Sequence, residues 1–269
     1  MEGFVEVAPD VRLWVEDVGR ADASALLLIM GRASSGLYWP DALVESLARH
    51  HRVIRYDHRD TGRSTWAFDQ HPYAIADLAD DVLVILDDLG IERAHVVGVS
   101  MGGMLAQLLL LDHPHRLLSA TVFATSALGT VPGPARPRSG PDLPGPDRRL
   151  LALWDRMEKE GPRDREAEIE RRVEEWRLLN GDVIEFDAEE FRRVEERLID
   201  HSGRLDTTTA HDRADRGGLD RGPSSPACPF PPWSSRHRRT RSSRHRTPGT
   251  SPDRSATPGW SPSRVWATP

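Results

Sequence analysis

The chain is short of several things that would otherwise direct its reading. It has one cysteine, Cys228, in 269 residues, which excludes an internal disulfide framework and any CxxC zinc or redox pair and makes a reducing compartment the default. It has a single lysine, Lys159, where every other basic side chain is arginine, a bias expected of codons rich in G and C. No apolar run approaches the roughly 20 residues that span a bilayer. Met1 to Asp10 is acidic and has no basic segment leading into an apolar one, so it does not read as a secretory signal. The expectation is a soluble cytoplasmic protein with no membrane partner.

Scarcity is also uneven along the chain. The last 49 residues contain no Leu, Ile or Met, while holding nine Arg, ten Pro, ten Ser and one acid, Asp253. The 220 residues before them carry 27 basic side chains against 41 acidic ones. Such a tail has little with which to build a core, so its composition belongs to disorder or to artefact. Within it, Arg236 to Arg246 holds six Arg and two His in eleven positions, and attraction to nucleic acid or another polyanion would follow from charge alone. No aromatic interleaving accompanies the run, so nucleic acid is not the expected partner. A non-catalytic binding protein with a polyanion-contacting tail is the alternative from a different functional class.

What is present upstream is an alternation. Phe4 to Val7 and Val11 to Asp17 read as short strands, and Ala25 to Met30 is a continuous apolar run ended by Gly31, as for a strand buried on both faces. Trp39 to His50 has helical spacing, Arg52 to Tyr56 is a strand, and Ile75 to Leu89 is a helix with Gly90 at its C-terminal cap. Ala94 to Val97, Met101 to His113 and Leu118 to Ala124 complete a further strand, helix and strand. The pattern predicts an α/β fold built on a mostly parallel, doubly wound sheet with right-handed crossovers. From Leu128 the rhythm breaks into Pro and Gly, then three polar-faced helices follow over Asp147 to Lys159, Arg163 to Leu179 and Ala188 to His201, with no strand between them. The division expected is a core over 1–127, a helical lid over 128–203 and a non-native tail over 204–269. Trp154 and Trp176 are read as packing the lid to the sheet rather than as contacting substrate.

The residues that carry chemistry are Gly98-Val99-Ser100-Met101-Gly102, a GxSxG sequence placed between a strand and a helix. A Ser held on a sharp strand-to-helix turn needs small neighbours, because the backbone is strained and a Cβ at Gly98 or Gly102 would clash. The turn pushes Oγ out of the sheet and sets it at a helix N-terminus, where free N–H groups favour developing negative charge. Ser100 is therefore the candidate nucleophile for acyl transfer. Its oxyanion would be held by the Met101 N–H and by a second N–H from the loop after Met30, for which Arg32 is the candidate.

These residues, with Leu28-Ile29-Met30-Gly31 and the loop Tyr56-Asp57-His58-Arg59-Asp60-Thr61-Gly62-Arg63-Ser64, resemble the α/β-hydrolase superfamily, and within it the aclacinomycin methylesterase group. The resemblance covers about Val11 to Gly203, including Ile199-Asp200-His201. It implies an α/β-hydrolase fold and hydrolysis of a carboxylic methyl ester, a small-molecule substrate, with no cofactor. Arg32 departs from the pattern, since relatives often carry Gly there; a backbone N–H remains available, but the pocket entrance narrows. The resemblance also implies a carboxylate after a late strand and a His near the C-terminus. The tail offers only Asp253, His237 and His245, embedded in Arg, Ser and Pro and read as solvated. His58 and His201 are read as structural.

The tail has a second reading. If each codon is formed from the third base of one codon and the first two of the next, Pro229 to Ser235 can encode Val-Pro-Thr-Leu-Val-Val, a buried strand. In the same frame Ser235 to Ser243 can encode Glu-Ala-Pro-Glu-Asp-Pro-Leu-Phe, and Pro258 to Pro269 can encode Arg-Leu-Val-Thr-Val-Pro-Gly-Met-Gly-His-Ala. Strand, carboxylate and Gly-x-Gly-His return in the order the resemblance implies. The expectation is a frameshift between about Gly203 and Cys228 that removes the acid, the His and the last strands, leaving Ser100 without its partners.

Overall fold

In the computed structural model the residues described are 1–129, 147–161 and 164–221. The apolar strand over Ala25–Ile29 is buried at every position, and its side chains alternate between two layers. Ala25, Leu27 and Ile29 join one apolar cluster, Leu26 and Leu28 another, the period-2 consequence of a strand covered on both faces. This strand, β3, is inside a six-stranded sheet whose other members are β1 (Glu2–Ala8), β2 (Val11–Val18), β4 (Arg52–Tyr56), β5 (Ala94–Val99) and β6 (Leu117–Phe123). The spatial order is β1-β2-β4-β3-β5-β6. β3 pairs in parallel with β4 and β5, and β5 with β6, while β1 and β2 add an antiparallel hairpin at the β4 edge. The hairpin turns at Pro9 and Asp10, where Asp10 takes a left-handed φ of 62°.

Helices cover both faces as the doubly wound pattern requires. α1 (Asp41–Ala48) packs Val44 beside Trp39 on the Leu26 and Leu28 side. α2 (Asp77–Asp88) and α3 (Met101–Asp112) cover the other face, where Leu78, Val82, Ile85 and Leu86 of α2 and Leu105 and Leu109 of α3 are fully buried. Spacings of three and four residues place the α2 set on one stripe. Gly90 follows α2 with φ 66°, the left-handed cap that a residue without Cβ adopts at little cost.

After β6 come three lid helices, α4 (Arg148–Glu160), α5 (Arg165–Asn180) and α6 (Ala188–Ser202), within about two residues of their expected bounds. Asp147, Asp164 and Asp187 cap them by accepting from Arg149, Ala167 and Glu190 N–H groups, which satisfies donors that a helix start otherwise leaves open. The lid seats on the sheet through α6, where Leu198 packs with Trp14 and Leu37 and His201 Nε2 lies 2.7 Å from Asp57 Oδ2. Trp176 packs against Tyr38 with the rings tilted and their centroids 5.1 Å apart, and donates to Glu195 Oε1.

The expected division at 204 is not where packing ends. Ala210, His211, Ala214 and Leu219 are buried, α7 (Ala210–Arg213) lies against the core, and Ile75 N–H donates to Asp215 O at 2.8 Å. A few small apolar side chains suffice for this return, which lies beyond Gly203, the limit of the sequence resemblance. The linker Val131 to Pro146, the tail residues Asp253, His237 and His245, and the C-terminal strands lie outside the described residues. Among the described residues no helix is long and apolar enough to cross a membrane.

Candidate active site

Ser100 occupies the single residue between β5 and α3, with φ 54° and ψ −120°. A non-glycine residue pays of order 1–3 kcal/mol to sit in such a region, so the surroundings must enforce it. They do so by leaving no alternative space. A Cβ on Gly98 would lie 2.3 Å from Gly102 O, one on Gly102 would lie 2.4 Å from Ile29 O, and one on Gly103 would lie 2.7 Å from the Thr125 side chain. The expected need for glycine at 98 and 102 thus has specific contacts behind it, and Gly103 shares it. The turn is tied to β6 through Ser100 N–H on Phe123 O at 3.2 Å and Thr125 Oγ1–H on Ser100 O at 2.7 Å.

The Ser100 hydroxyl makes no capping bond to its own helix and the residue is exposed. Beside it opens a cavity of about 330 Å³ lined by Ser100, Met104, Ala124, Thr125 and Ser126. The loop after β3 also approaches Ser100, where a Cβ on Gly31 would stand 3.3 Å from Ser100 Cβ and 3.7 Å from its Oγ. Arg32 follows in the same loop, and Met101 is the first residue of α3, directly after Ser100. The Arg32 guanidinium reaches Asp212 Oδ2 at 2.7 Å and lies 5.5 Å from the centre of the Trp154 ring, so its long side chain links the loop to α7 and α4.

No described side chain hydrogen-bonds Ser100 Oγ, and the histidines of this end of the sheet are committed elsewhere. His201 pairs with Asp57. His58, 1 % exposed, reaches Met30 O through Nε2 at 3.0 Å. His211 uses both nitrogens, Nδ1 accepting from Ala33 N–H at 2.9 Å and Nε2 on Arg59 O at 3.0 Å. Burial holds His58 down to about 4, against the pull of the Met30 carbonyl. His211 is held down to about 3, first by burial and then by the neighbouring His58. Both are neutral at pH 7.

Two residues of the Tyr56–Ser64 loop that had no assigned role prove to organise it. Asp57 is fully buried and accepts from Gly36 N–H and Arg63 N–H, each at 2.9 Å, besides Ser35 Oγ and His201. Gly62 is required beside it, since a Cβ there would lie 2.0 Å from Asp57 Oδ2 at φ +48°. Asp60 accepts from Ala67 N–H, Phe68 N–H and Tyr73 OH. Among the described residues no group of three or more His, Cys, Asp or Glu side chains is placed to hold a metal ion.

The sequence pattern of the alpha/beta hydrolase fold family matches residues 24–152. Rhodomycin D methylesterase DauP of Streptomyces sp. (strain C5) is 43% identical over 221 residues, which are 79% of this chain and 74% of that protein. Rhodomycin D methylesterase DnrP of Streptomyces peucetius is 44% identical over 210 residues, 75% of this chain and 70% of that protein. Among solved structures, a hydrolase from Pseudomonas aeruginosa PA01 superposes with a TM-score of 0.52 at 28% identity, covering 75% of this chain and 69% of that one.

Proposed function

From the premise that this chain belongs to the α/β-hydrolase fold family, we propose that it is a serine carboxylic-ester hydrolase of methylesterase type whose nucleophile is Ser100. The observation that carries the reading is the strained turn at Ser100, which presents an uncapped, exposed hydroxyl between a pocket and the Gly31–Arg32 backbone. Ser100 Oγ attacks the ester carbonyl carbon as its proton leaves to a base, and the carbonyl oxygen takes the electron pair. Met101 and Arg32 N–H groups hold that oxyanion, each such donor being worth about 10²–10³ in rate. Collapse expels the alcohol and leaves an acyl-serine, which water hydrolyses to the acid. The similarity to two rhodomycin D methylesterases supports a methyl ester as the substrate class.

The base and its carboxylate are the open part. None of the hydrogen bonds made by His58, His201 and His211 is to Ser100 Oγ. In this reading the acid and the His are encoded downstream in the shifted frame, and packing that runs on to Leu219 supports a break after that residue. Without a base the hydroxyl stays protonated and turnover is low. The test compares the chain as written with one whose frame is restored after Arg221, on 4-nitrophenyl and methyl esters, each alongside its Ser100→Ala variant. The expected result is a Ser100-dependent rate in the restored chain alone. A strong Ser100-dependent rate in the chain as written defeats the frameshift reading, and no Ser100 dependence in either defeats the nucleophile assignment.

A further inference from the structure

The loop that carries the Arg32 N–H is gripped at both ends by imidazoles that use opposite roles. At its start, Met30 O lies 3.0 Å from His58 Nε2, which must therefore carry its proton on that nitrogen. At its end, the Ala33 N–H lies 2.9 Å from His211 Nδ1, which must present a lone pair. His211 Nε2–H then donates to Arg59 O at 3.0 Å, and this second bond selects the tautomer that leaves Nδ1 free to accept. The two rings meet edge to face with centroids 5.8 Å apart, so one buried pair spans the base of the loop.

Between the grips the backbone is under load. Ala33 sits at φ 54°, a left-handed conformation that an alanine adopts only where the surroundings enforce it. The Gly31 backbone meanwhile rests against Ser100, so a release at either end would move the segment nearest the nucleophile. Asp212, next to His211 on α7, holds the Arg32 side chain at 2.7 Å, which fixes the middle of the loop from the same short helix.

We propose that His58 and His211 are positioning residues which clamp the Met30–Ala33 loop so that the Arg32 N–H faces the carbonyl oxygen of an ester at Ser100. The inference rests on the oxyanion reading above for its consequence, though not for the clamp itself. Neither histidine touches the reacting atoms; they act by holding main chain that a catalytic geometry needs within a fraction of an ångström.

The experiment uses the full chain as written. Hydrogen exchange of the Met30–Gly36 segment is followed by mass spectrometry for the parent and for His211→Leu, His211→Asn and His58→Gln. Asn offers an oxygen near the Nδ1 position and Gln an N–H near the Nε2 position. His211→Leu is expected to speed exchange at Ala33 by about tenfold, the loss of one hydrogen bond, while His211→Asn and His58→Gln stay close to the parent. Residual hydrolysis of 4-nitrophenyl acetate, which an oxyanion site supports even without a complete triad, is measured in parallel. There His211→Leu lowers kcat by about tenfold or more with KM little changed, His211→Asn restores it, and Arg32→Pro, which deletes the N–H, matches His211→Leu. Unchanged exchange in His211→Leu overturns the clamp. A rate that falls in Arg32→Pro but not in His211→Leu overturns its catalytic consequence. A rate indifferent to Arg32→Pro, with exchange accelerated by His211→Leu, defeats the oxyanion reading and leaves the clamp in place.

Discussion

The elbow at Ser100 and the lid that covers the sheet are held by different physics. At the elbow the tight contacts at Gly98 and Gly102 are with backbone and the one at Gly103 is with the Thr125 side chain, spaces that would not admit one further carbon. In the lid the contacts are between charged side chains, such as Arg156 with Glu174, Arg192 with Glu166, and Glu168 with Arg171 and Arg172. Backbone packing leaves little choice and fixes the Ser100 turn closely. Long ion-paired side chains leave more choice.

The contrast breaks most readily at Gly102. An alanine there drives a methyl against Ile29 O and Met30 O, 2.4 and 2.6 Å away, and those carbonyls belong to the end of β3 and cannot retreat without unpairing it. Gly102→Ala is expected to lower stability by about 3 kcal/mol, at the upper end for overpacking. Urea denaturation measures it, and a loss below about 1 kcal/mol would mean that the elbow yields as side chains do.

Acid provides the next largest effect, again at this end of the sheet. His58 and His211 are neutral in the fold, held down to about 4 and about 3 by burial, whereas each titrates near 6.5 in an unfolded chain. Between those values the unfolded state binds more protons. The stability they contribute is thus fully present above about pH 6.5 and is lost as pH falls through the folded values. A steep fall in the urea midpoint between pH 6.5 and 4.5 is expected, with a shallower one in His58→Gln/His211→Asn. Parallel slopes would show that carboxylates, not these histidines, set the acid limb.

These residues also mark how far reading the sequence could go. The β3 run, the α2 stripe and the GxSxG turn are local patterns, each complete within some twelve residues, and each appeared in the structure where its spacing placed it. Asp57 and His211 are not local. Asp57 reaches Gly36 and His201, 21 and 144 residues away, and His211 reaches Ala33 across 178, distances that no periodicity reports. The motif Asp57 to Ser64 could be quoted but not explained until Asp57 was seen to gather the Ser35–Gly36 turn, the Arg63 backbone and the lid. The division expected at 204 followed the end of the resemblance at Gly203, whereas Ala210, Ala214 and Leu219 are buried, and few apolar residues are enough where a core already exists to receive them.

A smaller effect separates backbone from side chain at Ser100 itself. Its left-handed φ strains serine and alanine alike but not glycine, so Ser100→Gly is expected to raise stability by about 1 kcal/mol while Ser100→Ala leaves it unchanged. Both remove the hydroxyl, so thermal denaturation of the two compares strain at constant chemistry. Equal melting temperatures would mean that the turn is not strained, and the case for a built nucleophile would lose its physical basis.

The smallest effect belongs to the lid surface. Arg192 bridges Glu166 and lies 4.0 and 3.7 Å from Glu170 and Glu196, three carboxylates around one guanidinium that solvent also reaches. Ion pairs of this kind gain little over hydrated charges and lose what they gain as salt is added. Arg192→Ala is therefore expected to leave the urea midpoint unchanged at physiological ionic strength. Glu195 is the internal control, since its buried carboxyl takes Tyr38 OH at 2.8 Å and Trp176 Nε1 at 2.7 Å and its loss would strand both donors. If Arg192→Ala proved as costly as Glu195→Ala, the lid's charges would have to act as one cooperative network, and the line drawn between a backbone-built site and a side-chain-built cover would not hold.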